Sequence, residues 1–216
     1  MIFIHKYKKI GTKRDKAKRK NWISLLVILI FIGFILIFKA GFRISPLAAS
    51  RVSGFIQKEF ELLDEIDLDW AYIHFYYDED NDMYYTTISE KKFFMYVSHL
   101  YVRLYGNKND PIKTIGSMFY SNGKGKTVNL FMVKSDDENI DSIIIRQESK
   151  IIERKIQVDN PEIIVIDNSI NWDLVDVVAV DKFGKEKYYY GVPKGTGFLN
   201  GKDIKWHKVK VLSNDQ

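Results

Sequence analysis

Residues 22–38 read WISLLVILIFIGFILIF, a run without a charged side chain in which Ser24 is the only polar residue. At a helical rise of 1.5 Å per residue, such a run covers about 26 Å, slightly less than the roughly 30 Å of a bilayer core. Lys39 can extend its ammonium group to the headgroups and make up the deficit. The run therefore predicts a transmembrane helix over residues 22–42. The residues predicted at the membrane interfaces are Trp22, Lys39 and Arg43.

Two other interpretations of this apolar run are open. A buried helix of a soluble protein normally keeps a polar face, and residues 22–38 have none. A cleaved signal peptide would use the small residues at 48–50, but the run is longer than the usual signal core of about 7 to 15 residues. Ser45 and Pro46 also read as the start of a helix to which those small residues belong. An uncleaved signal anchor is the favoured interpretation.

Residues 1–21 form a strongly basic tail, with nine Lys or Arg side chains against the single acid Asp15. Positive charge before a span predicts a cytoplasmic N-terminus and an exported C-terminal part. The same charges would attract anionic lipid headgroups, at about 1 kcal/mol per well-placed charge. The residues predicted to fix the topology or contact lipid are Lys13, Arg14, Lys16, Lys18, Arg19 and Lys20.

The formal net charge of +5 is misleading, because the excess of basic residues lies in the tail. Residues 44–216 carry 22 basic and 27 acidic side chains, which argues against a nucleic-acid partner. The chain has no cysteine, so disulfides, thiolate metal sites and thiol nucleophiles are excluded. We predict no cofactor and no metal, with the lipid bilayer and a protein or envelope component as partners.

The exported part reads as one α+β domain over residues 43–216. Apolar residues spaced three and four apart predict a leading amphipathic helix over 46–64, and period-two alternation then predicts a mainly antiparallel sheet. The predicted strands are 68–77, 83–88, 115–120, 127–134, 142–146, 150–158, 162–167, 173–181, 185–192 and 205–212. Residues 92–105 fit a helix or a strand, with strand preferred, and 181–184 predict a hairpin turn.

Four motifs suggest chemistry, and each has a simpler interpretation. Gly125-Lys126-Thr127 ends like a phosphate-binding loop, but the required upstream glycine is missing and Asn122-Gly123 predicts a hairpin turn. The carboxylates of 78–82 alternate as in a calcium loop, without the glycine and glutamate that such a loop needs. Ser89 and Lys92 have the Ser-x-x-Lys spacing of penicillin-binding proteins, but the Ser-Asp-Asn element of those enzymes is absent. Ser117-Met118 resembles the Ser-Met of signal peptidases, but in those enzymes the serine lies just after the span and a proline follows, whereas Ser117 lies far downstream and Phe119 follows.

The histidines and aromatic residues are ambiguous in the same way. His74, His99 and His207 show no paired spacing for a metal, which favours ordinary strand histidines. Trp70, Trp172 and Trp206 are better explained as core or rim residues than as ligand-stacking residues. Tyr188, Tyr189 and Tyr190 offer an exposed recognition edge if they face solvent.

These observations give two hypotheses about function. The favoured one is a non-enzymatic, membrane-anchored extracytoplasmic domain of the bacterial cell envelope that binds a partner, as a sensor or accessory protein. The alternative is a small envelope hydrolase whose acid and base are Asp or Glu residues. A concave pocket with two convergent carboxylates of shifted pKa would distinguish the hydrolase.

Overall fold

The computed structural model describes residues 13–52, 54–147, 150–166, 175–195 and 200–209, with side chains from Lys20 onward. A long helix, α1, covers Lys13–Lys39, and a short helix, α2, covers Pro46–Val52. The large apolar side chains of α1 are exposed, because the helix stands apart from the rest of the fold. Over Lys20–Lys39 this helix is long and apolar enough to cross a membrane.

Twelve strands are found in the described residues, and every strand pairing among them is antiparallel. They are β1 Glu61–Asp67, β2 Ala71–Asp78, β3 Met83–Lys92, β4 Met95–Tyr105, β5 Ile112–Ser121, β6 Thr127–Ser135, β7 Ser142–Gln147, β8 Lys150–Lys155, β9 Glu162–Val165, β10 Asp176–Val180, β11 Glu186–Gly191 and β12 Lys205–Lys208.

The strands form three sheets. The first sheet has the order β1-β2-β3-β4, the middle sheet β5-β6-β9, and the last sheet β12-β11-β10-β7-β8. A short 3-10 helix, Gly201–Asp203, precedes β12 and is capped by the side chain of Asn200. The first sheet is a simple meander, whereas β9 and β10 return to strands formed earlier in the chain.

The middle sheet is buried on both faces, and this makes the domain a three-layer structure. Along β6, Leu130 and Met132 pack in one core cluster with the first sheet, whose contribution includes Phe75. Phe131 and Val133 point to the opposite face and pack with the last sheet. A strand covered on both faces needs a continuous apolar run, and Val128 to Val133 supplies one apart from Asn129.

The outer face of the first sheet is covered by α2 and the segment that follows it. Ile56 and Phe60 pack there against Tyr76 and Tyr85 in a third, smaller core cluster. The Ser50 and Tyr76 hydroxyls lie 2.5 Å apart. The residues just after α1 are therefore part of the folded domain.

The predicted α+β class with mainly antiparallel sheets is confirmed. Residues 95–105 form strand β4, as the preferred interpretation held. The 181–184 hairpin turn is confirmed by the bond from the Asp181 N–H to the Lys185 carbonyl, at 3.0 Å. Residues 122–126 form a hairpin turn followed by a strand, with the Asn122 N–H bonded to the Lys126 carbonyl at 3.1 Å. This turn excludes the phosphate-binding interpretation of Lys126.

The predicted amphipathic helix over 46–64 is wrong beyond Val52. Gly54 has a φ of +77°, a left-handed conformation that ends helices, and residues from Glu61 onward pair with β2 instead. The helical spacing of Phe55, Ile56 and Phe60 arises in a non-helical segment that packs on the sheet.

The bounds of all ten predicted strands differ from the observed ones by at least one residue, and the predicted strands 162–167, 173–181 and 205–212 lie partly outside the described residues. Two strands are clearly longer than predicted: β3 continues to Lys92 and β5 begins at Ile112. The predicted strand 68–77 begins at Ala71, because 68–70 form a turn. The predicted strand 150–158 ends at Lys155. In the predicted strand 173–181, β10 starts at Asp176, and residues 167–174 lie outside the described residues.

The chain joins the first sheet at one defined end. Arg43, four residues after α1, pairs with Tyr96 through two backbone bonds of 2.8 and 2.7 Å. Tyr96 lies beside the β3–β4 turn at 93–94. The turns 68–70 and 122–126 lie at the same end of the domain, as the stacking of Trp70 on Tyr120 shows. We call this the near end. The opposite end, with the 79–82 turn, is the far end, about 30 Å away along the ten residues of β3.

The packing of the first sheet on the middle sheet predicts a sharp effect of adding one methyl group at Gly116. A Cβ at Gly116 would lie 2.4 Å from Cδ1 of Phe75, which is fully buried. We expect Gly116→Ala to destabilise the full chain by about 1–3 kcal/mol, measured by urea unfolding in detergent. Gly201→Ala is the control, because its Cβ would make an ordinary 3.5 Å contact with Tyr105. Equal stability of the two variants would contradict the close approach of the sheets.

Candidate functional site

A cavity of about 140 Å³ lies where the three sheets meet, at the far end. The end of β4 and the start of β5 form two of its walls, and β11, β12 and the 3-10 helix close it. Its polar and aromatic lining residues are Arg103, Tyr105, Asp110, Thr114, Tyr190, Lys205 and Trp206. The Arg103 side chain donates a hydrogen bond to the Tyr85 hydroxyl on the outer face of the first sheet. We call it the junction cavity.

Aromatic rings and paired polar groups line the junction cavity together. The Trp206 indole Nε1 donates a hydrogen bond of 3.1 Å to Thr114 Oγ1, and its ring centroid lies 5.5 Å from that of Tyr190. Burial raises the pKa of the Tyr190 hydroxyl. Lys205 Nζ lies 3.5 Å from Asp110 Oδ2 at the margin. The cavity thus offers apolar ring faces, neutral hydroxyls and one ion pair.

The rim of the junction cavity is fixed by the acidic 79–82 turn. The Gly106 N–H donates to the Asp82 carbonyl at 2.8 Å, and the Lys108 N–H donates to Asp82 Oδ2 at 3.0 Å. A side chain at Gly106 would place its Cβ 1.9 Å from Asp82 Oδ1, so glycine is required there. The segment after β4 is therefore held by several bonds in one position.

The volume of the junction cavity limits what it can bind. Pockets for whole small-molecule ligands are about 300–1,000 Å³, so 140 Å³ accommodates a group of a few heavy atoms. Such a group can be the end of a side chain or one substituent of a larger partner. The aromatic rings can pack against an apolar group, and the neighbouring ion pair can hydrogen-bond to a polar atom at the end of that group.

Metal and acid–base sites were also sought in the described part of the chain. No group of three His, Asp or Glu side chains there could hold a metal ion. Burial alone would raise the pKa of the Glu90 carboxyl, but hydrogen bonds from Lys92 Nζ and the Tyr120 hydroxyl outweigh it, and the pKa is lowered. Among the described residues, the carboxyl groups of Asp67, Asp137 and Asp181 also have lowered pKa values.

These carboxylates are occupied by internal contacts. The Tyr72 hydroxyl lies 2.5 Å from Asp67, and the N–H groups of Phe183 and Lys185 donate to Asp181. A general acid at neutral pH needs a raised pKa, and the direction here is the opposite.

The predicted membrane-interface residues occupy the two ends of the apolar helix. Trp22 is exposed near the start of the apolar part of α1, Lys20–Lys39, and Lys39 is the last residue of the helix. The Arg43 guanidinium donates to the carbonyls of Phe38 and Phe42, both at 2.7 Å, and lies over the Phe38 ring. Arg43 thus ties the end of α1 to the first sheet, a role that its sequence position did not indicate.

The tail residues are placed only in part. Lys20 is exposed on α1, which begins at Lys13. The side chains of Lys13, Arg14, Lys16, Lys18 and Arg19 lie outside the described part of the structure.

The other candidate motifs do not converge. Ser89 is buried and donates to the Pro46 carbonyl at 3.0 Å, while Lys92 pairs with Glu90, so no Ser–Lys dyad forms. In the acidic turn, Asp78 accepts hydrogen bonds from Asn81 and Asp82 accepts one from the Tyr77 hydroxyl. Both carboxylates are thereby satisfied within the protein.

The aromatic candidates divide between core and surface. Trp206 is buried, and Trp70 is half-buried against Tyr120. Tyr188 is buried with its hydroxyl on Asp137, whereas Tyr189 is half-buried and stacks on His207. Trp172 lies outside the described residues.

Sequence reasoning missed a buried polar layer between α2 and the outer face of the first sheet. Both ring nitrogens of His74, the Thr87 hydroxyl and the Ser98 hydroxyl are buried there without a hydrogen-bond partner among the described residues. Glu65 approaches His74 Nε2 to 3.7 Å but is half exposed to water. Burial, helped by the nearby Arg51, lowers the pKa of His74 to about 4. Alternating strand residues do not reveal this layer, because both faces of β2 are covered.

The buried His74 predicts an acid-sensitive stability. An unfolded histidine binds a proton below about pH 6.5, whereas folded His74 does so only near pH 4, so the folded state loses stability as pH falls through that window. The loss should reach about 3 kcal/mol in urea unfolding of the full chain. We expect His74→Phe to flatten this dependence and the exposed-site control His99→Gln to retain it. An unchanged slope in His74→Phe would disprove the assignment.

No known protein family, no curated protein and no solved structure matches this chain. The sequence and the geometry of the described residues are therefore the basis for its function. Among the sites described, the junction cavity combines concavity, aromatic surface and polar groups in the arrangement typical of binding sites.

Proposed function

We propose that this chain is a single-pass membrane protein whose extracytoplasmic domain, residues 43–216, binds a protein or envelope component through the junction cavity. The proposed anchor is α1, because its large apolar side chains are exposed and do not pack against the domain. The basic tail orients it with the N-terminus in the cytoplasm. The protein acts as a binding, sensor or accessory protein of the bacterial cell envelope.

The junction cavity is the single observation that supports binding. It lies at the far end, about 30 Å along the first sheet from the point where the chain leaves α1. A site at that distance from the bilayer can meet a partner that does not lie in the membrane. Because its volume suits a few heavy atoms, the partner inserts one side chain or substituent rather than entering whole.

A binding role explains the described carboxylates better than hydrolysis does. An acid–base pair requires one carboxyl that keeps its proton near neutral pH. The shifted carboxyl groups in the described residues all have lowered pKa values and internal hydrogen-bond partners, as at Glu90 and Asp137. They support turns and strand ends instead of facing the junction cavity.

The proposed topology can be tested with single cysteines, because the natural chain has none. We expect Asp80→Cys, in the exposed far-end turn, to react with a membrane-impermeant maleimide in intact cells. Lys16→Cys, before the span, should react only after lysis, since the basic bias keeps the tail in the cytoplasm. The reverse pattern would overturn both the orientation and the binding proposal.

The proposed binding site can be tested by photo-crosslinking in intact cells. A benzophenone amino acid at Ile204, which is exposed and lines the junction cavity, should give a discrete adduct. The same group at the exposed Ile151 of β8 should not. Gly201→Leu should abolish the adduct, because its side chain would project toward Tyr105 and fill the cavity.

The crosslinking control is the stability of the Gly201→Leu variant. A native-like urea midpoint shows that the variant is folded, so that loss of the adduct reports occlusion. An adduct that persists in folded Gly201→Leu, or equal adducts at Ile204 and Ile151, would show that the cavity is not the contact site.

A further inference from the structure

Two phenylalanines stand exposed at the tip of the β3–β4 hairpin. Phe93 is 96 % exposed and Phe94 is 72 % exposed. Phe93 also has a φ of +58°, a conformation that favours glycine and is costly for a bulky side chain. A large apolar residue held in water and in an unfavourable backbone conformation gains nothing from folding. Such strain points to a function for the exposed ring.

The hairpin tip lies beside the end of the apolar helix. Tyr96, which pairs with Arg43, is two residues from Phe94, a distance of about 7 Å along the strand. A groove lined by Phe34, Phe38 and Val52 separates the last turns of α1 from the start of the domain. Only three residues separate the end of α1 from Arg43, so the hairpin tip lies close to the end of α1.

The charges around the tip complement a membrane surface. Lys91 precedes the turn, and the neighbouring 122–126 turn at the same end carries Lys124 and Lys126. Three acids lie at the same end: Asp67 accepts a hydrogen bond from the Tyr72 hydroxyl close to Lys91, Asp69 lies in the β1–β2 turn, and Glu90 pairs with Lys92. Exposed aromatic rings flanked by lysines are the side chains that favour the headgroup region of anionic bilayers.

Exposure alone does not select the 93–94 turn. Phe183, at the tip of the β10–β11 hairpin, is 83 % exposed as well. It shares a shallow depression with Glu138, Asp141, Asp181 and the basic residues Lys182 and Lys187, and Lys182 Nζ lies 5.1 Å from the centroid of its ring. Position distinguishes the two tips, because the β10–β11 hairpin belongs to the last sheet and the middle sheet lies between it and the first sheet, which the chain joins just after α1. Phe183 therefore provides a matched control.

We infer that Phe93 and Phe94 insert into the interfacial region of the same leaflet at which α1 ends, as a second membrane contact of the domain. This inference rests on the membrane anchoring in the proposed function. The occupant of the exposed apolar tip is the bilayer itself, with anionic headgroups bound by Lys91, Lys124 and Lys126. Two contacts, α1 and the hairpin, fix the orientation of the domain and hold the junction cavity away from the lipid.

The test uses the full chain with single cysteines labelled by an environment-sensitive NBD dye. The variants Leu29→Cys in α1, Phe93→Cys and Phe183→Cys are reconstituted into vesicles of phosphatidylcholine and phosphatidylglycerol. Lipids with a nitroxide near the top of the acyl chain then quench a dye at the interface, and lipids with a nitroxide near the end of the chain quench a dye at the depth of position 29. We expect most of the fluorescence at positions 29 and 93 to be lost and that at 183 to be retained.

The two proposals fail differently in this experiment. Quenching at position 29 without quenching at 93 would overturn the hairpin contact and leave the anchor intact. Absence of quenching at 29 would overturn the anchor and the hairpin contact together. Quenching at 183 equal to that at 93 would show that the domain has no fixed orientation.

A second variant excludes insertion driven by the dye. With the dye at Lys124→Cys, quenching should be strong when Phe93 and Phe94 are present and largely lost in Phe93→Ser/Phe94→Ser. The urea midpoint should not change, because both rings are exposed. Omission of phosphatidylglycerol should also weaken quenching at 124. Equal quenching with and without the two rings would disprove their role.

Discussion

The burial of strand β6 on both faces is the constraint on which the domain depends. Leu130 and Met132 fill the space toward the first sheet, while Phe131 and Val133 fill the space toward the last. Each fully buried side chain of this kind contributes about 1.5–3 kcal/mol, and one strand contributes to both interfaces. The first and last sheets have no other common support in the described core clusters, so their relative placement follows from the middle sheet.

The same arrangement creates both a near end and a far end with different chemistry. The chain joins the first sheet at Arg43, runs through a meander, and leaves β4 at Tyr105 to enter β5. The crossing from the first sheet to the middle sheet thus lies at the far end, where β12 of the last sheet also arrives with Trp206. The junction cavity exists because three sheet edges meet there around residues too rigid to close the gap. Gly106, locked against Asp82, is the clearest example.

The sequence predicted local features well and three-dimensional convergence poorly. The apolar helix, strand β4 and the turns at 122–126 and 181–184 follow from hydrophobic runs and turn residues, which act over a few positions. The helix over 46–64 was wrong because tertiary packing overrode its periodicity after Gly54. The junction cavity joins Arg103, Asp110, Tyr190 and Trp206 across about a hundred positions, and no pattern in one sequence reports such a meeting. His74 was assigned as an ordinary strand residue, although its burial between β2 and α2 gives it an acid-sensitive role.

The buried polar layer gives α2 a weak hold on the sheet. An unpartnered buried donor or acceptor costs about 1–3 kcal/mol, and His74, Thr87 and Ser98 all lie beneath or beside this seven-residue helix. The apolar contacts of Leu47, Ile56 and Phe60, together with the Ser50–Tyr76 and Ser89–Pro46 hydrogen bonds, offset that cost. Because α2 begins three residues after Arg43, a tilt of α1 would move α2 before it moved the strands. Water admitted by a small displacement would satisfy the polar groups, which lowers the cost of moving α2 compared with moving a strand of the apolar middle sheet.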